Sequence, residues 1–131
     1  MKYMLLTYLD EKAWLALSPE EQKREMDQCR PHVEKLLATK KLLAGAPLHP
    51  TSSATTLRHR DGKRLLTDGP FAETREQLGG YTIIEATDLD DAIAIANGFI
   101  GTSTRASIEV RPIVEFPDVP AVPEAAGGPD R

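Results

Sequence analysis

A chain of 131 residues, 40% hydrophobic and 27% charged, has the composition of one globular domain with one core. Its net charge of -4 and pI near 5.4 supply no overall attraction to phosphate backbones or anionic lipid, so nucleic acid and membrane surfaces are not expected partners. The single cysteine, Cys29, excludes an internal disulfide and a thiolate metal centre of its own, which fits a reducing cytoplasm; its simplest role is that of a small buried hydrophobe.

Met1 to Leu9 is apolar over too short a run to cross a membrane, stops at Asp10-Glu11 and is followed by no signal-cleavage pattern. Large and aromatic residues predict a strand from Lys2 to Leu9 with two apolar faces, Tyr3, Leu5 and Leu9 on one and Met4, Leu6 and Tyr8 on the other. Helices can cover one face of such a sheet. The other then needs a cover of its own, and a second copy of the chain is the expected one.

After a short Trp14-Leu15 segment, Ser18-Pro19-Glu20-Glu21 provides a capping hydroxyl, a first-turn proline and a glutamate placed to close the capping box. Met26, Cys29, Val33, Leu36 and Leu37 recur as one helical stripe, and Pro31 inside it predicts a kink or restart beside His32. Leu42 to Ala46 reads as the next strand. Ala54 to Arg60 and Lys63 to Thr67 flank Asp61-Gly62, the dipeptide suited to a type I′ hairpin; this register opposes Arg60 to Lys63 and His59 to Arg64 and crowds positive charge at the tip.

Tyr81 to Ala86 predicts another strand, released from the preceding loop by a Gly79-Gly80 hinge. A helix follows, capped by Thr87 or Asp88, with Leu89, Ala92, Ile93 and Ala96 inward and Gly98 as its stop. Ser107 to Glu115 is the last strand, and Pro112 places it at an edge or a bulge. From Pro117 onward, fifteen residues with four prolines and two glycines read as a disordered tail, leaving a folded domain over 1–116. The order strand, helix, strand, hairpin, strand, helix, strand is that of an α+β, ferredoxin-like split βαβ domain with an inserted hairpin.

Chemistry points first to Thr67 to Tyr81. An aspartate usually closes a turn on the amide two residues ahead, but after Asp68 that residue is Pro70, which has no N–H. Asp68 therefore needs another partner: the Phe71 amide, a neighbouring chain, water or a ligand. Gly69 lets a ligand approach the backbone closely, and Glu73, at helical spacing from Gln77, could bring a second carboxylate to Asp68 for acid–base work. His32 is the one histidine on a helix expected to pack over the sheet, and a histidine suits general-base chemistry near neutral pH. His32, His49 and His59 lack metal-ligand spacing, and no nucleotide or nucleophile-elbow motif occurs, so neither a metal nor a cofactor is expected.

Met1-Lys2-Tyr3-Met4-Leu5-Leu6, the stretch from Thr67 to Tyr81 with its Asp68-Gly69-Pro70-Phe71 core, and Ile108-Glu109-Val110-Arg111-Pro112 together resemble the DGPF branch of the YCII-related family. The resemblance implies a ferredoxin-like fold that dimerises with its sheets facing, a cleft near the Asp68 loop, and genetic association with extracytoplasmic-function sigma factors. It also implies a histidine–aspartate pair, with relatives that act on small chlorinated aromatics. Asp68 to Phe71 fit the branch motif; counting back from Leu42-Leu43, the family's helix histidine falls nearer Cys29 than His32.

Two functional readings follow. In the first, a homodimer binds, and as an enzyme transforms, a small organic molecule beside Asp68. His32 is then the other candidate catalytic group, and Gly69, Glu73, Tyr81 and Arg111 are candidate ligand-binding residues. In the second, the chain is a regulatory module that meets a protein such as a sigma factor through the basic hairpin from Arg58 to Arg64 or through the tail.

Overall fold

The computed structural model of the protein describes residues 1–100 and 105–119. In chain order the elements are β1 (Lys2–Leu9), α1 (Glu11–Leu15), α2 (Pro19–Gln28), α3 (Arg30–Ala38), β2 (Leu42–Pro47), a 3-10 turn (Thr51–Ser53), β3 (Thr55–Arg60), β4 (Lys63–Asp68), β5 (Gln77–Glu85), α4 (Leu89–Ile100) and β6 (Ala106–Pro112). Four strands form an antiparallel sheet in the order β2-β5-β1-β6, while β3 and β4 make a separate hairpin. Because each neighbouring pair is antiparallel, β1 runs parallel to β2 with β5 between them, and β5 runs parallel to β6 with β1 between them. Each strand–helix–strand unit is thus split by a strand of the other.

Local chemistry accounts for the helix boundaries. Ser18 and Glu21 form a complete capping box at the start of α2, with Pro19 in its first turn. Pro31 ends continuity as expected: α2 stops at Gln28, and α3 restarts at Arg30 with the proline in its first turn. The end of α3 is closed by Lys40, whose φ is 57°; the Lys41 amide donates to the Leu36 carbonyl and the Lys40 amide to that of Leu37. This is the Schellman pattern, held here by a lysine where glycine is usual.

Tyr3, Leu5 and Ile84 from the sheet meet Leu36 of α3 and Ala92, Ile95 and Ala96 of α4 in one buried core, with Leu42, Phe99, Ile108 and Val110 packed around it. The core lies over the end of the sheet where β1 begins. Met4, Leu6, Tyr8, Tyr81 and Ile83 share the opposite face by register and are only half-buried.

Several expectations are corrected. β5 begins at Gln77, so Gly79-Gly80 lies inside a strand. The β1–β5 register shifts beside Gly79, where a side chain would strike Leu9, and at Gly80 a Cβ would come 3.2 Å from the Ala46 carbonyl oxygen. The pair is needed for close strand approach. Residues 71–76 form no helix, so no helical spacing joins Glu73 to Gln77. Helix α4 continues through Gly98 to Ile100; its inner face is Ala92, Ile95 and Ala96, with Leu89 and Ile93 exposed. Met26 and Leu37 are exposed, leaving Leu36 as the buried member of the α2–α3 stripe. β6 ends at Pro112, three residues short of Glu115, and is an edge strand, the position a proline favours. Of the expected tail, 120–131 lie outside the described residues, and Val119 makes an isolated bridge with Phe116.

Candidate functional site

Where β1 ends, the helices leave the sheet uncovered. Between α1, α2 and α3 on one side and the ends of β1, β2 and β5 on the other opens a cleft of about 920 Å3, within the size range of small-molecule sites. Its floor is Ala44-Gly45-Ala46 and Gly79-Gly80, where glycines keep two strands close and leave no side chains to fill the space. Its walls are mostly apolar: Trp14 of α1, Met26 of α2, Val33 and Leu37 of α3, Leu9 of β1 and Phe99 of α4. Met26 and Leu37, exposed to the core-seeking eye, are cleft wall.

Polar groups stand at its rim. Arg105 donates to Glu25 at 2.6 Å, tying the start of β6 to α2, and Asp10 accepts from the Ala13 amide to cap α1. Cys29 also borders the cleft. Its thiol donates to the Phe99 carbonyl at 3.3 Å, and burial pushes its pKa up, so it stays protonated at neutral pH and is a poor nucleophile.

A smaller recess of about 530 Å3 lies between Tyr8, Asp10, Thr74, Arg75, Glu76, Arg105 and Ser107. The Ser107 hydroxyl donates to Glu76, anchoring the 71–76 loop to the start of β6. Nearby, Glu11 accepts from both the amide and the hydroxyl of Thr51 at 2.6 Å, and its own amide donates to Gln77. This half-buried network ties α1 to the segments entering and leaving the hairpin. Nothing in the residue pattern signals it, because Glu11, Thr51 and Gln77 are brought together only by the sheet register.

The sequence-derived candidates are dispersed. His32 lies in the seam between α3 and α4: Nε2 donates to the Ile95 carbonyl at 2.8 Å, the ring meets Phe99 edge-on with centroids 4.8 Å apart, and it occupies the space a side chain at Gly98 would take. A carbonyl accepts only, so Nε2 carries a proton in this contact. Asp68 ends β4, exposed and without a hydrogen bond from any described residue. It shares no contact with His32 and borders neither cavity.

Gly69, at φ 115°, closes the hairpin base: its amide donates to the Ala54 carbonyl and its carbonyl accepts from the Thr56 hydroxyl. Glu73 is exposed in the return loop. Tyr81 is among the residues bordering the larger cleft, although its register puts its side chain on the opposite face of the sheet, beside Leu6 and Ala46. Arg111, on that same opposite face by register with Met4, pairs with Glu109.

Residues 1–117 match the YCII-related domain. The chain belongs to the YCII-related family. It is also 40% identical over 117 residues to an uncharacterized protein of Rhizobium meliloti (strain 1021), an alignment covering 88% of this chain and 94% of that protein. The YCII-related match covers every strand and helix described above, the cleft and the hairpin included. Among the described residues no group of His, Cys, Asp and Glu is arranged to hold a metal ion, and no helix is long and apolar enough to cross a membrane.

Proposed function

We propose that this YCII-related chain is a member of the DGPF branch, a ferredoxin-like domain working in the cytoplasm as a homodimer, and that it binds a small, largely apolar organic molecule. The observation that carries the reading is the cleft of about 920 Å3, walled by Trp14, Val33, Leu37 and Phe99 over a glycine floor. A mostly apolar lining with a few polar side chains, Thr7, Gln28 and Thr82 as well as Asp10, Glu25 and Arg105, favours a ligand with a flat or aliphatic body and few polar groups. The Asp68 loop stays in the reading as a neighbour of the site along the chain: β2 and β5, which form the floor, are the strands that lead to and return from the hairpin. No ligand contact is assigned to Asp68, Gly69, Glu73 or Arg111 from within one copy.

The only tryptophan of the chain is in the cleft wall, so binding is readable without a label. Titration with aromatic and medium-chain carboxylic acids is expected to change Trp14 fluorescence and raise the melting temperature with dose. Val33→Trp, which fills the cleft, is expected to abolish the stabilisation. If no compound acts, or if the filled variant responds as the wild type does, the reading fails.

The basic hairpin tip favours a second reading, docking onto an acidic protein surface such as a sigma factor. Arg60 and Lys63 oppose each other there, both exposed. Reversing both charges should then abolish binding to a purified sigma factor, and unchanged binding would end that reading.

A further inference from the structure

One face of the hairpin pairs its basic end with an apolar middle and an acidic base, a pattern that neither reading uses. Directly paired residues share a face, so Thr55, Leu57 and His59 of β3 lie beside Asp68, Leu66 and Arg64 of β4 on one side of the ribbon. On the other side Thr56 donates to the Gly69 carbonyl and Arg58 to that of Phe71, while Arg60, Lys63, Leu65 and Thr67 stay exposed. On the first side all six residues are exposed, with Leu57 at 56% and Leu66 at 61%. Its middle is apolar, the end toward the turn is basic, and the end toward the base carries Asp68.

We propose that this face is a contact between two copies of the chain, related by a two-fold axis that runs across the strands through Leu57 and Leu66. Arg64 and Asp68 each stand two residues from Leu66, about 7 Å along the strand on either side. Such an axis turns the partner's β4 end for end over this one, laying Leu66 on the partner's Leu66 and Arg64 on the partner's Asp68. Both ion pairs form at once, as an isologous contact requires. An axis along the strands would instead put Arg64 on the partner's His59, which offers it no carboxylate. Asp68 thereby gains a partner that it lacks among the described residues of one chain, and the apolar pair leaves water.

Six side chains a side are too few for a stable interface, which buries on the order of 1,200 Å2 or more. The contact therefore rests on the sheet-face homodimer proposed above and adds to it. A shared axis gives a dimer and crossed axes a tetramer, so proximity at the hairpin decides the matter, not mass.

The test uses the full chain with Cys29→Ser and Leu66→Cys, a short bismaleimide, and light scattering on the same samples. Efficient crosslinking to a dimer is expected. Arg64→Asp should reduce it roughly tenfold, and adding Asp68→Arg to that variant should restore it, since a swapped pair is again complementary. Assembly of unchanged mass without a crosslink, or a swap that does not rescue, overturns the hairpin contact while leaving the homodimer standing. A chain that is monomeric and uncrosslinked overturns both.

Discussion

At the scale of single residues, the seam between α3 and α4 is held by one histidine and the glycine beneath it. A Cβ at position 98 would fall within the His32 ring, so Gly98→Ala must expel the ring and break its bond to the Ile95 carbonyl. Alanine is otherwise the better helix former, by about 1 kcal/mol. Overpacking and the lost hydrogen bond oppose that gain with about 1–3 kcal/mol and about 1 kcal/mol respectively. The expected outcome is net destabilisation of about 1–3 kcal/mol in urea melts of the wild type. In a His32→Ala background the same change should stabilise, because the clash is gone and the propensity remains. A glycine tolerant of alanine in both backgrounds would mean that the ring does not occupy this space in solution. Position 98 also shows where residue type misleads: Gly98 reads as a helix stop, yet its use is to admit a side chain from another helix. Gly79-Gly80 likewise reads as a hinge and serves strand contact. All three glycines are recognisable as special from the sequence, but what approaches them is decided by residues far away in the chain.

Elements were more legible than such contacts, where their causes are local. The capping box at Ser18, the restart at Pro31 and the I′ turn, with Asp61 at φ 52° and Gly62 at φ 72°, depend on neighbours a few residues apart and stand where the pattern puts them. The Glu11–Thr51 tie and the cleft depend on sheet register, which no local pattern states. Helix α4 begins with a similarly local device. The Asp88 side chain accepts from the Asp91 amide, and Asp91 in turn accepts from the amide of Thr87. That backbone bond, reinforced by Lys41 and the Thr87 hydroxyl against the opposing effect of desolvation, holds the Asp91 carboxyl below its ordinary range. Glu21, through the Ser18 amide, and Asp27, through Lys23, are shifted the same way. A carboxylate depressed on folding stabilises the native state above its unfolded pKa and loses that contribution as pH falls through the folded one. Melting temperature is therefore expected to be level above the ordinary carboxylate range and to decline on acidification below it. Asp91→Asn, which keeps an acceptor but not the charge, should lower the neutral plateau and make the acid limb shallower. An unchanged limb in a pH series of thermal melts would place the acid sensitivity elsewhere.

At the scale of the whole molecule, the sheet has one face spent on a core and another left half-covered. Met4, Leu6, Tyr8, Tyr81 and Ile83 are apolar or aromatic and lie together by register, an arrangement an antiparallel sheet facing only water would not need. β1 announces this half-covered face in its two-faced apolar pattern. The homodimer reading makes a definite demand on it. Leu6 sits on the central strand β1, between β5 and β6, so a lysine there would bring a charge to the middle of two facing sheets. Burying that charge costs several kcal/mol even beside Glu109, the residue of β6 opposite Leu6, whose carboxylate Arg111 already engages, and that is enough to separate the copies. In one copy the lysine can reach water from a half-buried position, so the fold itself should survive. Leu6→Lys is therefore expected to halve the mass of a simple dimer in light scattering, and to abolish the rise of melting temperature with protein concentration that a dimer shows. The sheet's circular dichroism should be retained. A variant that keeps both the mass and the concentration dependence would show that the copies meet elsewhere, and the half-covered face would then need an occupant of another kind.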